Sequence, residues 1–397
     1  MRFTLTLPVR NVVLLAISQA LMLSAVVLSM TLAGILGGML SADRGLATLP
    51  IAAMVIGTAL TSIPASLLMR RLGRRWGFVI GAALGTGGSA LAAYSLSVQS
   101  FSWFVAGHLL IGGYQGFANY YRFAAAEAAG PQQAGKAISR VVAGGVVAAF
   151  AGPQIAVWGR DWLPQHVFLG SYLAQGLLSL LAMLVLSWLC LPRPVAAAGL
   201  QPRSLREIVA QPSLRAAIVG SATGYAVMIM AMTATPLAML GCGFSTADVK
   251  PVIQWHVLGM FAPSFFTGHL VARWGASRVM QLGFVLLSAH VAVAASGQAQ
   301  LHFLSALVLL GVGWNFAFVG GTALLTQSYR PSEQTKVQAL NEGVVFSLVA
   351  LGSLGAGWLY DRFGWVTLNL AVLPLLLLVL VWTIATTRRR GALAVAV

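Results

Sequence analysis

Ser66-Leu67-Leu68-Met69-Arg70-Arg71-Leu72-Gly73-Arg74-Arg75 sets four arginines and a glycine between two apolar runs, 46–69 and 77–98. Each run matches the ~20 residues that an α-helix needs to cross a bilayer. The stretch therefore reads as a tight basic turn between two membrane spans. Ten further runs of the same kind lie outward from it, at 11–37, 102–125, 137–158, 166–191, 216–240, 251–272, 279–297, 302–326, 337–359 and 366–386. They are too long, and alternate too little, to be barrel strands. The expected fold is an all-α membrane protein with twelve transmembrane helices.

Composition agrees. Of 397 residues, 58% are hydrophobic and 8% charged, whereas about a quarter are charged in an ordinary soluble domain. Such a chain cannot cover a water-facing surface, which excludes a soluble enzyme, a nucleic-acid-binding domain and a disordered protein. The net charge of +16 does not point to nucleic acid, because the arginines cluster between the apolar runs. With both termini inside, nineteen of the 24 Lys and Arg lie on the inner side, Arg44, Arg160, Lys250 and Arg362 lie outside, and Arg122 falls within span four. That asymmetry predicts cytoplasmic termini. The first apolar run continues from Asn11 past Ile35, longer than a signal h-region of about 7–15 residues, so it is expected to stay as a span. Cys190 and Cys242 form no disulfide framework and read as free thiols.

The longest polar connection, 192–215, divides the chain into an N-terminal bundle, 1–191, and a C-terminal bundle with a short basic tail, 216–397. At an offset of 200, Gly113 meets Gly313, Tyr114 meets Trp314, Pro131 meets Pro331, Lys136 meets Lys336, Trp158 meets Trp358 and Asp161 meets Asp361. Arg71-Leu72-Gly73 corresponds to Arg273-Trp274-Gly275. Two halves of the same direction predict a pseudo-symmetric pair of six-helix bundles.

This organisation resembles the major facilitator superfamily, whose loop pattern is Gly-x-x-x-Asp-Arg/Lys-x-Gly-Arg/Lys-Arg/Lys. The quoted stretch follows it with Ser66 in the first Gly position and Arg70 where the family has Asp. The second half reads Gly268-His269-Leu270-Val271-Ala272-Arg273-Trp274-Gly275, with Ala272 in the Asp position. The resemblance implies alternating access, and it assigns Arg71, Gly73, Arg74, Arg273 and Gly275 to a gating loop. It also implies a central cavity lined by spans one, four, seven and ten. Gln19, Tyr114, Gln115, Asn119, Trp314 and Asn315 are the expected lining residues. Rings and amides of this kind suit a planar heterocycle, or else interhelical packing.

Span seven concentrates methionine at 228, 230, 232 and 239. Met228 and Met232 share one helix face at i, i+4, as do His256 and Met260 in span eight. Thioethers with one imidazole form a soft ligand set that favours Cu(I); the alternative is methionine as filler at a helix interface. The two pairs resemble those of the CcoA-like branch of the superfamily, which imports copper for haem–copper oxidases and also includes riboflavin importers. The resemblance implies copper contacts at Met228, Met232, His256 and Met260, in a protein of the bacterial inner membrane. The leading expectation is copper import. Import of riboflavin or another planar solute is the alternative, and a non-transporting copper sensor or assembly factor is a third reading. Copper is then cargo, no resident cofactor is expected, and lipid and a small solute are the partners of a monomer.

Of the eight acids, Glu342 lies deepest, beside Asn341 in span eleven. It is the proton-coupling candidate, the alternatives being a carboxylate that faces the cytoplasmic vestibule or a partner for Lys336. Arg122 is expected to pair with Glu127 or to reach the inner surface. There is no phosphate loop or Ser-His-Asp motif to suggest an enzyme.

Overall fold

The computed structural model describes residues 6–42, 46, 49–191 and 203–395. Nine helical stretches among them are long and apolar enough to cross a membrane: Leu7–Leu40, Leu49–Leu72, Arg74–Ser97, Ala134–Trp158, Leu169–Ser187, Pro212–Gly241, Ala276–Ser296, Gln300–Thr326 and Pro331–Thr386. The last is divided at Gly364, whose φ of 73° only glycine adopts easily. Two broken helices complete the twelve spans. Span four runs through Phe101–Ala118 and Tyr121–Ala129, and span eight through Thr246–Phe261 and Ser264–Trp274.

Several spans outrun their apolar cores. Span one occupies 34 residues, and span seven begins at Pro212, where a first-turn proline gives up no needed hydrogen bond. The expected linker 192–215 is described only from Arg203; residues 192–202 lie outside the described residues, as does Asp43. The described part holds the short helix Leu205–Ala210, capped reciprocally by Ser204 and Glu207. Helix breaks, unlike spans, were not expected. Span eight breaks at Ala262 and Pro263, because proline cannot donate to the ladder. Span five breaks at Gly144, between Ala134–Ala143 and Gly145–Trp158.

The repeat is visible in backbone geometry. Gly73 and Gly275 adopt φ 86° and 87° with ψ 159° and 150°, each opening the next helix. A Cβ would be strained at both. Trp158 and Trp358 are 66% and 65% exposed, and each meets a second aromatic ring edge-on. Matching exposure suits indoles placed at a membrane interface.

Two compact units form. The first comprises Met1–Ala129, Gly144–Val195 and Gln338–Phe346; the second comprises Gly130–Ala143, Ala196–Val337 and Ser347–Val397. The start of span five thus packs with the second unit, and the start of span eleven with the first. In the first unit, spans two and four touch through Gly57 and Gly112, the latter lying on the Met54 carbonyl. In the second, spans eight and ten touch through Gly259 and Gly311, the latter lying on the His256 carbonyl. Small residues permit this approach.

Polar side chains bolt helices within each unit. Ser29 and Gln175 join spans one and six. His108 is held by the Phe104 carbonyl and the Tyr172 hydroxyl, and His290 by the Ala306 carbonyl and the Asn369 amide oxygen. In the second unit, Arg203 grips Glu333 with Nε and a terminal nitrogen, both at 2.7 Å, while the Arg330 N–H donates to the same carboxylate. Glu333 is fully buried and Arg203 about a quarter exposed. Arg203→Ala would strand a buried carboxylate, with an expected loss of about 1–3 kcal/mol. A lowered midpoint in a thermal melt of the detergent-purified protein checks this; an unchanged midpoint would show the clamp to be idle.

Candidate solute-binding and coupling sites

In the first unit, the polar stretch of span four turns its rings inward. Tyr114 and Tyr121 are fully buried, and neither hydroxyl has a partner among the described residues. The Tyr114 ring rests on Gly85 and the Tyr121 ring meets Phe78 edge-on at 4.7 Å. Gln115 is half-buried and accepts from Thr58 at 3.3 Å. Asn119 is half-buried too, and its amide nitrogen has no partner among the described residues. Gln19, in span one, is half-buried.

Arg122 does not follow its expected course. It neither reaches the surface nor pairs with Glu127; it donates to Glu342 at 2.6 Å and to the Asn119 carbonyl at 2.7 Å. Both ion-pair side chains are buried, at 5% and 0% exposure. Asn341 donates to the same Glu342 oxygen at 2.7 Å, and the other oxygen, Oε2, accepts nothing among the described residues. Glu342 therefore does not pair with Lys336. Glu127 is taken by Arg74, at 2.6 and 3.3 Å, and Gln338 bonds both members of that pair. Proximity along the helix favoured Arg122 and Glu127; Arg74 has the closer approach in space. Of the other gating-loop residues, Arg71 and Arg273 are exposed, and Gly73 and Gly275 shape the turns described above.

In the second unit, the residues read as soft metal ligands occupy different settings. Met228 is buried in span seven, and Met232, one turn on, is half-buried. His256 is buried against span ten, with Nδ1 at 2.8 Å from the Leu307 carbonyl. A carbonyl only accepts, so Nδ1 carries the proton. Nε2 keeps a bare lone pair, with no partner among the described residues. Met260 is buried, and its carbonyl accepts from Asn315. Among the described residues, no group of three His, Cys, Asp or Glu could hold a metal ion.

Asn315 departs from the lining role expected of it. Its amide donates to the Met260 carbonyl at 2.7 Å and to Ser264 Oγ at 2.6 Å, while its oxygen accepts from Thr267 at 2.7 Å. Both amide hydrogens are spent on span eight, so it bolts two helices. Trp314 anchors an aromatic group: it stacks on Phe318 at 4.9 Å and 14°, and it meets Tyr225 at 5.2 Å and Phe261 at 5.8 Å. Tyr225 also packs on Phe318 at 5.4 Å. Trp314 and Phe318 stand at i, i+4, a signal present in the sequence. Tyr225 and Phe261 were missed, because their part depends on how spans seven and eight register against span ten.

The sequence profile of the Major Facilitator Superfamily matches residues 12–262 and 252–395. The chain is 41% identical over 389 residues to the riboflavin transporter RfnT of Brucella anthropi, covering 97% of this chain and 98% of the relative. It is 30% identical over 382 residues to YdeG of Bacillus subtilis, an uncharacterized transporter of the same type, covering 88% and 87%. Among solved structures, the fucose:proton symporter FucP of E. coli superposes with a TM-score of 0.75 at 14% identity, covering 96% of this chain and 99% of that one. A bacterial homologue of the iron transporter ferroportin, in an outward-facing state, gives 0.73 at 13%, covering 97% and 100%. At such identity these two speak for the fold alone.

Proposed function

This chain belongs to the Major Facilitator Superfamily, a transporter family, and we propose that it imports riboflavin across a bacterial inner membrane, with both termini in the cytoplasm. The observation that carries this reading is the 41% identity to a riboflavin transporter over nearly the whole of both chains. The chemistry of the second unit supports it. Four aromatic rings gather at Trp314, and planar rings suit a flat tricyclic cargo. The sequence placed copper first; the relatedness favours the organic solute instead.

In this reading the protein works as a monomer without a resident cofactor, and riboflavin enters as cargo. Proton uptake at Glu342 drives accumulation. A carboxylate sealed from water, with one oxygen unused and an arginine on the other, can take a proton and release its partner. Glu342→Gln would then equilibrate riboflavin across the membrane without concentrating it.

A second reading, transport of Cu(I), is favoured by one observation, the bare and buried Nε2 of His256, with Met260 one turn on. Cells unable to make riboflavin separate the two. Expression of the wild type is expected to restore growth at low external riboflavin, and His256→Ala and Met232→Leu to do so as well. No rescue by the wild type, together with copper accumulation that both substitutions abolish, would overturn the riboflavin reading.

A further inference from the structure

We infer that the indole N–H of Trp314 is the donor that selects the edge of the cargo ring. This inference rests on the riboflavin reading. Trp314 is 3% exposed, and its Nε1 is buried with no acceptor among the described residues. A buried donor left unsatisfied gives up its hydration and gains nothing in return. The ring cannot turn to find a partner in the chain. Phe318 lies flat against it at 4.9 Å, while Phe261 and Tyr225 abut it edge-on. Its polar neighbour Asn315 is fully engaged with span eight. The donor is thus held in a fixed direction with no acceptor of its own.

A ligand would have to supply that acceptor. An N–H presents the positive end of its dipole and repels a cation, so the site does not suit a bare metal ion. It suits a planar heteroaromatic with a ring carbonyl or ring nitrogen on its edge; the two carbonyls of riboflavin's tricyclic ring are such acceptors. Of the four rings, Tyr225 alone is half-buried rather than buried. Spans seven and ten are held close, with Ala317 3.0 Å from the point where a Gly224 Cβ would stand. The half-buried Tyr225 marks the open side of the ring group.

Binding to the purified full chain, followed by quenching of riboflavin's own fluorescence, tests this. Trp314→Phe keeps the stack on Phe318 and removes the donor. Loss of one neutral hydrogen bond is expected to raise Kd about 3- to 10-fold. A riboflavin analogue with sulfur, a poor acceptor, in place of the ring carbonyl oxygen facing the donor should bind the wild type more weakly by a similar factor. Trp314→Phe should not distinguish that analogue from riboflavin. Wild-type affinity and wild-type discrimination in Trp314→Phe would overturn the assignment while leaving riboflavin import standing. If that variant does not fold, the wild type alone decides: equal affinity for riboflavin and for both single-sulfur analogues overturns the assignment. A wild type that binds no riboflavin overturns the import reading and this inference with it.

Discussion

Arg122→Gln will unfold the protein at markedly lower temperature than the wild type and will abolish concentrative uptake. Arg122 and Glu342 lie at 2.6 Å, with 5% and 0% of their side chains exposed. Removing the guanidinium leaves a carboxylate that cannot reach water and keeps only the Asn341 amide for company. Breaking a buried pair from one side typically costs about 3–5 kcal/mol. Removing both charges costs far less, because no ion is stranded. The double variant Arg122→Gln, Glu342→Gln should therefore recover most of the lost stability while remaining unable to accumulate cargo. Melting of the three proteins in the same detergent checks the first half, and uptake in vesicles the second. If Arg122→Gln melts with the wild type, the pair is not the buried tie that its geometry implies.

The second large effect is expected at Gly112. A Cβ there would stand on the carbonyl oxygen of Met54, deep inside van der Waals contact, with the Met54 backbone carbon at 2.7 Å. Neither atom is the end of a flexible side chain, so the whole of span two must move away from span four. Overpacking commonly costs about 1–3 kcal/mol, and a clash between two backbones belongs at the upper end. Gly112→Ala should lower the melting midpoint clearly and reduce the yield of folded protein. Gly87 provides the control. It lies inside the helix Arg74–Ser97 with nothing within 4 Å of its added Cβ. Gly87→Ala should leave stability unchanged or raise it by about 0.5–1 kcal/mol. Equal melting of the two alanine variants would show that the helices part without cost.

The spans were legible because membrane helices announce themselves locally: each needs about 20 apolar residues. The repeat was legible for the same reason, since Gly73 and Gly275 mark turns that depend on one residue each. The breaks were not. Ala262-Pro263 and Gly144 sit inside runs that remain apolar on both sides, so hydropathy passes over them.

At the candidate sites, residue type was legible and partnership was not. His256 was found by its spacing to Met260, but that its Nδ1 would bond Leu307, 51 residues away, depends on the crossing of spans eight and ten. Arg122 and Glu342 are 220 residues apart, and Glu127 stood five residues from Arg122 as a more obvious partner. Asn315 was legible as a polar residue in an aromatic span. Its role as a bolt rather than a lining group appears only once Ser264 and Thr267 are placed opposite it.

Carriage and concentration of riboflavin are tested most directly in a reconstituted system. Purified protein should be sealed into liposomes, a proton gradient imposed acid outside, and labelled riboflavin followed with unlabelled copper and without it. Riboflavin is expected to accumulate above the external concentration with the wild type, to equilibrate only with Glu342→Gln, and to be indifferent to copper. No riboflavin entry in the wild type under any gradient would contradict it.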